Sequence, residues 1–259
     1  FLQKHPRTAG KLSVFDAGRP LESVRYNPMS SGSQTDAVLR LFNSMTWSEE
    51  FYKTRAREVL MRLADVQQAR GAKVNLSWLK EVLASSGSLN GFLSSDIAPV
   101  KMSENEYSQL SGLTAQVNQL CHGDLGDLIS GKTNDKEINI GEAIQAGRIL
   151  YFRLPALVDP VTTATIGRLI IGDLALYAAN VQTRKYQSVF TPVFLDEFGS
   201  LACPAFLELI AKARSAGLAL HFSHQSLGDL EAAGSSFASQ ISDNSSTKII
   251  LRVYDPDTA

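Results

Sequence analysis

A change of rhythm at about residue 149 constrains this chain more than any other feature. From there, short apolar runs alternate with longer stretches of helical periodicity. Strands are expected over 149–154, 189–195, 218–222 and 248–253, and helices over 160–180, 204–216 and 227–233. Strand–helix–strand repeats build parallel sheets, and parallel sheets bury both faces under their connecting helices. An α/β fold with a mostly parallel sheet covered on both faces is therefore expected. In the 160–180 helix, Ile166, Leu169, Ile170, Leu174 and Tyr177 make the side expected to be buried. Pro204 suits the first turn of the next helix, where its missing N–H costs nothing.

Upstream the pattern differs. Leu12 to Phe15 is an apolar run ending on Asp16, with Gly18 and Pro20 as turn signals, and Tyr26-Asn27-Pro28 marks a second turn. Between about residues 34 and 129 the apolar positions recur at helical spacing with no β-type alternation. Ser48 precedes Glu49 and Glu50 as an expected N-cap, ahead of Phe51, Val59, Leu60, Leu63 and Val66. Asn75 is expected to cap a short helix, and Ser103-Glu104-Asn105-Glu106 has the form of a capping box. Three parts follow: 1–33, an all-helical 34–136, and 137–259.

Composition narrows the function classes. The net charge of −1 over 259 residues gives no global attraction to nucleic acid, so such binding needs a local patch. Lys53, Arg55, Arg57, Arg62, Arg70 and Lys73 offer one, offset by Glu58 and Asp65; a solvated helix face is the favoured account of them. Two cysteines, Cys121 and Cys203, are too few for a disulfide framework. No apolar run reaches the ~20 residues of a membrane helix. The chain opens without Met and stops after an apolar run, so a fragment of something longer is expected.

The chemistry gathers where such sheets place it, beyond the carboxyl ends of the strands. Val193, Phe194 and Leu195 end on Asp196-Glu197, the form of a Walker B element, in which the Asp holds Mg²⁺ and the Glu orients a water. An acidic turn after a strand has the same letters. Gln225 follows the next strand, fit to contact a γ-phosphate or to cap a turn. Arg214, in Ala213-Arg214-Ser215-Ala216-Gly217, suits a helix C-terminus by charge alone, or an arginine finger. His221 and His224 lack a third ligand nearby. Gly126 to Thr133 matches G-x-x-x-x-G-K-[S/T] literally, but a phosphate loop leaves a strand and opens a helix. Here the preceding residues look helical and Lys132 has no helix to open, so a polar connector is expected.

Taken together, Phe15-Asp16-x-Gly18-Arg19-Pro20 with Tyr26-Asn27-Pro28, then Val193 to Phe198, Ala213 to Gly217 and Ser223-His224-Gln225-Ser226-Leu227, resemble the type IV coupling proteins. These are conjugative DNA-transfer ATPases of the TraD/TraG type. The resemblance implies a RecA-like P-loop NTPase core carrying an inserted all-helical domain, with ATP and Mg²⁺ as cofactors. It implies that Asp196 holds Mg²⁺ through water, Glu197 activates water, Gln225 senses the γ-phosphate and Arg214 reaches across a homo-hexamer interface. The implied function is an ATP-driven motor. It recruits and pumps single-stranded DNA, or a nucleoprotein or protein substrate, into a type IV secretion channel, with relaxosome or effector proteins as partners. The implied location is the cytoplasmic face of the bacterial inner membrane, through an upstream anchor. The family's phosphate loop precedes the Phe15-Asp16 strand, so these 259 residues alone are expected to have weak or no ATPase activity. A related hexameric DNA translocase and a non-hydrolysing adaptor that recruits substrates through the helical part are the alternatives.

Overall fold

The computed structural model describes residues 5–94, 101–131, 136–231, 233–234 and 236–251. The chain forms two units, Phe1–Thr163 and Ala164–Ala259. The expected α/β class holds: each strand pair is parallel and helices make the connections.

In the first unit, β1 (Leu12–Asp16) and β2 (Arg25–Tyr26) precede seven helices. These are α1 (Gln34–Ser44), α2 (Glu50–Ala69), α3 (Leu76–Val82), α4 (Ser86–Leu93), α5 (Glu104–Ser108), α6 (Ser111–Leu120) and α7 (Gly123–Ile129). The described residues among them hold no strand, as the periodicity predicts. The chain returns through β3 (Glu137–Ile138), α8 (Ile140–Gln145) and β4 (Ile149–Arg153). β2, β3 and α8 were not expected; elements of two and six residues are too short to show a period. β4 pairs with β1 from Leu12 opposite Ile149 to Asp16 opposite Arg153, and β3 pairs with β2. Phe152 fastens the two pairs together, its ring 5.6 Å from both Phe15 and Tyr26.

Side chains fix the helix starts. Ser33 and Asp36 form a capping box on α1, and Ser103 and Glu106 form the expected one on α5. Asn75 accepts from the Trp78 amide at 2.8 Å to open α3, again as expected. Ser48 does not cap α2. The N-cap is Glu49, with no side-chain bond, and Phe51, the second residue of the helix, lies exposed outside the buried stripe. Buried Arg40 ties α1 to the Tyr26-Asn27-Pro28 turn, donating to the Pro28 carbonyl (3.0 and 2.7 Å) and the Ser31 carbonyl (2.8 Å).

At least three of the six cations singled out along α2 and its C-terminal turn have partners inside this unit. Lys53 pairs with Glu50 (3.0 Å), and Arg55 with Glu58 (2.9 Å) and, across to α5, with Glu106 (3.3 Å). Arg70 lies 4.1 Å above the Phe92 ring. These contacts favour the internally balanced helix over a free basic patch.

α9 (Pro160–Gln182) leads into the second unit and is long and apolar enough to span a membrane. Its most apolar window is 67% buried inside the protein, the behaviour of a core helix. Ile171 rather than Ile170 lies on the buried side, with Ile166, Leu169, Leu174 and Tyr177 as expected. β5 (Thr191–Leu195), α10 (Pro204–Ala213) and β6 (Leu218–Phe222) make a parallel βαβ unit. Fully buried Phe198 and Phe206 meet at 4.2 Å, and Phe222 lies 5.2 Å from each. Burying each such ring is worth about 1.5–3 kcal/mol. On the opposite face Phe194 is 73% exposed and stacks on His221 at 4.7 Å. α11 (Leu227–Glu231) and the unexpected α12 (Phe237–Asn244) follow. Lys248–Leu251 forms no strand, and Ile249 is 84% exposed; Arg252 and Val253 lie outside the described residues. An apolar run becomes a strand only where a neighbour's N–H and C=O groups meet it.

Candidate functional site

The tips of β5 and β6 are laced together. The Ser223 amide donates to the Leu195 carbonyl (3.0 Å), and the Phe198 amide donates to the Ser223 carbonyl (2.7 Å). Asp196 lies at the end of β5. Its Oδ1 accepts from the Ser223 hydroxyl at 2.6 Å and from the Glu197 amide at 3.1 Å. Its Oδ2 has no hydrogen-bond partner among the described residues. Glu197 then turns the chain with φ 49° and ψ 44°, a left-handed conformation, ahead of the short 3₁₀ turn Phe198–Leu201. Such a conformation is strained for a residue with a side chain and recurs at functional sites. Both carboxylates are exposed.

Gln225 stands exposed two residues beyond Ser223, past the same end of the β5–β6 pair as Asp196 and Glu197. Ser226 and Asp229 hold the turn after it, each amide donating to the other's side chain at 3.1 and 3.3 Å. The structure thus brings Asp196, Glu197 and the Gln225 turn together. Arg214 is elsewhere. It is the exposed C-cap of α10, and α10 runs back against the strands, so Arg214 lies near the start of β6. Five strand residues separate that end from Ser223, about 16 Å at ~3.3 Å per residue. His221 stacks on Phe194, and His224 contacts the Ser226 carbonyl at 3.0 Å.

The donors fit magnesium. Mg²⁺ takes one or two carboxylates plus phosphate oxygens and keeps several waters. An exposed Asp196 with one oxygen fixed and the other open meets that need, with no cage of protein ligands required.

A second carboxyl-end feature belongs to the first unit. Asp16 and Arg153 pair at 3.3 Å, and Asp16 also accepts from the Gly18 amide at 2.9 Å. They line a cavity of about 410 Å³ with Val14, Arg19, Glu22 and Tyr151. The sequence marked Asp16 as a strand end but gave no signal for Arg153, which reaches it only through the β1–β4 register. The rejected phosphate-loop match is helical over residues 126–129, where a loop leaving a strand is required; Lys132 and Thr133 lie outside the described residues.

A family profile described as the TraM recognition site of TraD and TraG matches residues 191–259. The type 4 coupling protein DotL of Legionella pneumophila is 31% identical over 140 residues, 48% of this chain and 18% of DotL. The chain superposes on the bacterial conjugative coupling protein TrwBdeltaN70 in complex with sulphate with a TM-score of 0.68 at 16% identity, over 90% of this chain and 57% of that one. TrwB in complex with ADP and Mg²⁺ gives 0.66 at 17%, with the same coverage. The resemblance to type IV coupling proteins read from the sequence is borne out, and the fold is theirs. The chain spans little more than half of the TrwB chains and less than a fifth of DotL.

Proposed function

We propose that this chain contributes the magnesium- and water-side half of the nucleotide-hydrolysing site of a type IV coupling protein. In this reading 1–33 and 137–259 build one nucleotide-binding domain and 34–136 is its helical insertion. Asp196 holds Mg²⁺ through water, and the ion would offset the charge that develops on the β- and γ-phosphates of ATP. Glu197 accepts a proton from the attacking water and orients it. Gln225 hydrogen-bonds the γ-phosphate side and carries its loss into β6. Arg214 serves a neighbouring copy in a homo-hexamer. The turnover drives single-stranded DNA, or a nucleoprotein or protein substrate, into a type IV secretion channel from the cytoplasmic face of the bacterial inner membrane.

The observation that carries this reading is the β5 tip: Asp196 oriented by Ser223, with Glu197 held left-handed beside it. The match of residues 191–259 to a TraM recognition site supports a relaxosome protein as partner of the same region. The binding of ADP and Mg²⁺ by the similar TrwB supports the cofactors. The test is Glu197→Gln in the intact gene product. ATP turnover should fall at least ~100-fold with ATP still bound, since loss of a general base costs about 10²–10⁴. Lys132→Ala should leave turnover unchanged. Turnover that survives Glu197→Gln, or is lost with Lys132→Ala, refutes the assignment.

A further inference from the structure

We infer that Ser223 is a positioning residue for the metal-side carboxylate, its hydroxyl orienting Asp196. This rests on the reading of Asp196 as the magnesium carboxylate. Asp196 is exposed, so water could satisfy Oδ1, and burial does not call for a protein donor. Ser223 nevertheless supplies one at 2.6 Å, within the range of short, charge-assisted O–H···O⁻ bonds. With the Glu197 amide also on Oδ1, the carboxylate plane is set and Oδ2 is the oxygen left outward. Fixing one oxygen of a carboxylate orients the other, whether it meets a metal or a metal-bound water.

Ser223 can do this because its own place is fixed. Its amide and carbonyl are both bonded to the β5 tip, on Leu195 and Phe198. The backbone bonds do not involve the hydroxyl, so removing it leaves the strand pairing intact.

The test compares Ser223→Thr with Ser223→Val in the intact protein. The two side chains share a shape and differ in the hydroxyl. Mn²⁺ affinity is read by electron paramagnetic resonance in the presence of ADP, with thermal melting as the check on folding. Ser223→Val should weaken Mn²⁺ binding about tenfold, as loss of a partner behind a metal ligand does. It should also raise the Mg²⁺ concentration for half-maximal turnover by a similar factor. Ser223→Thr should bind as the wild type does. Equal Mn²⁺ affinity for Val and Thr, with Asp196→Ala abolishing binding, overturns the role of Ser223 and leaves the Asp196 assignment standing. Unchanged Mn²⁺ affinity in Asp196→Ala overturns both.

Discussion

Gly217 is the joint on which the β5–α10–β6 unit turns, and its replacement by Ala has a cost that can be worked out. Gly217 sits at φ 77°, and its carbonyl accepts from the Thr191 amide at 2.9 Å, the bond that closes β5 against the entry to β6. Holding an L-residue left-handed costs about 1–2 kcal/mol. A Cβ here would also lie 2.7 Å from the Val189 carbonyl oxygen and 2.8 Å from the Ser188 hydroxyl. Overpacking of that kind adds about 1–3 kcal/mol, and the stiffer unfolded chain returns about 0.4–1. Gly217→Ala should therefore lose about 3 kcal/mol, within a range of about 1–5. Gly147 is the control: φ 64°, with nothing within 4 Å of its Cβ position, so its Ala variant meets the conformational cost alone. Urea unfolding followed by circular dichroism and by fluorescence measures both variants, and coincidence of the two probes establishes that one transition is being read. Losses that agree within about 0.5 kcal/mol would show that the contact with Val189 yields easily and that the steric reasoning is wrong.

Glu197→Asn should gain up to about 1 kcal/mol, because Asn tolerates the left-handed region, while Glu197→Gln gains none; equal stabilities by thermal melting would mean that no strain is held there. Glu106 has its pKa lowered, first by the Ser103 amide, then by the Ser103 hydroxyl and by Arg55, against some desolvation. Its stabilisation is present above the ordinary glutamate range and is lost as pH falls through the lower folded value, so the acid-side loss of Tm should shrink in Glu106→Gln. Burial pushes the Cys203 thiol up, against smaller opposing effects of the Phe206 amide, Arg168 and the Ala205 amide. An aromatic disulfide reagent at pH 8 should therefore label half-buried Cys121 well before Cys203, and the reverse order would contradict the packing around Phe206. Mixing Arg214→Ala subunits with Glu197→Gln subunits should restore turnover at the junctions where an intact Glu197 faces an intact Arg214; no recovery at any ratio refutes a finger acting between subunits.

What was legible in the sequence was what lies close together along it. Asp196 and Glu197 are adjacent, and they end an apolar run whose alternation with helical stretches already identified a parallel sheet. Their place at a strand tip followed from fold physics alone. Ser223 was visible as a letter but not as a partner, since its hydroxyl meets Asp196 only because β5 and β6 pair with Leu195 opposite Phe222. Arg153 was missed for the same reason, paired to Asp16 across 137 residues. The α2 cations were the converse. Read locally they form a basic stripe, yet Glu106 and Phe92 arrive from later helices to engage Arg55 and Arg70. Charge along a helix says little about charge presented to solvent until the packing partners are known.

The position of Arg214 gives the proposed hexamer a geometric reason. A helix that links two parallel strands must run antiparallel to them, so its C-terminal residue lands at the end of the sheet away from the strand tips. With Asp196 and Glu197 at one end of the β5–β6 pair and Arg214 near the other, about 16 Å of strand lies between them. An arginine side chain reaches less than half of that, and fixed strand pairing leaves no hinge to shorten it. If Arg214 contacts a phosphate, the phosphate is bound to another copy. An arginine serving only the α10 terminus would instead be replaceable by Lys at a cost of a few tenths of a kcal/mol, because the dipole asks for charge and not for a planar fork.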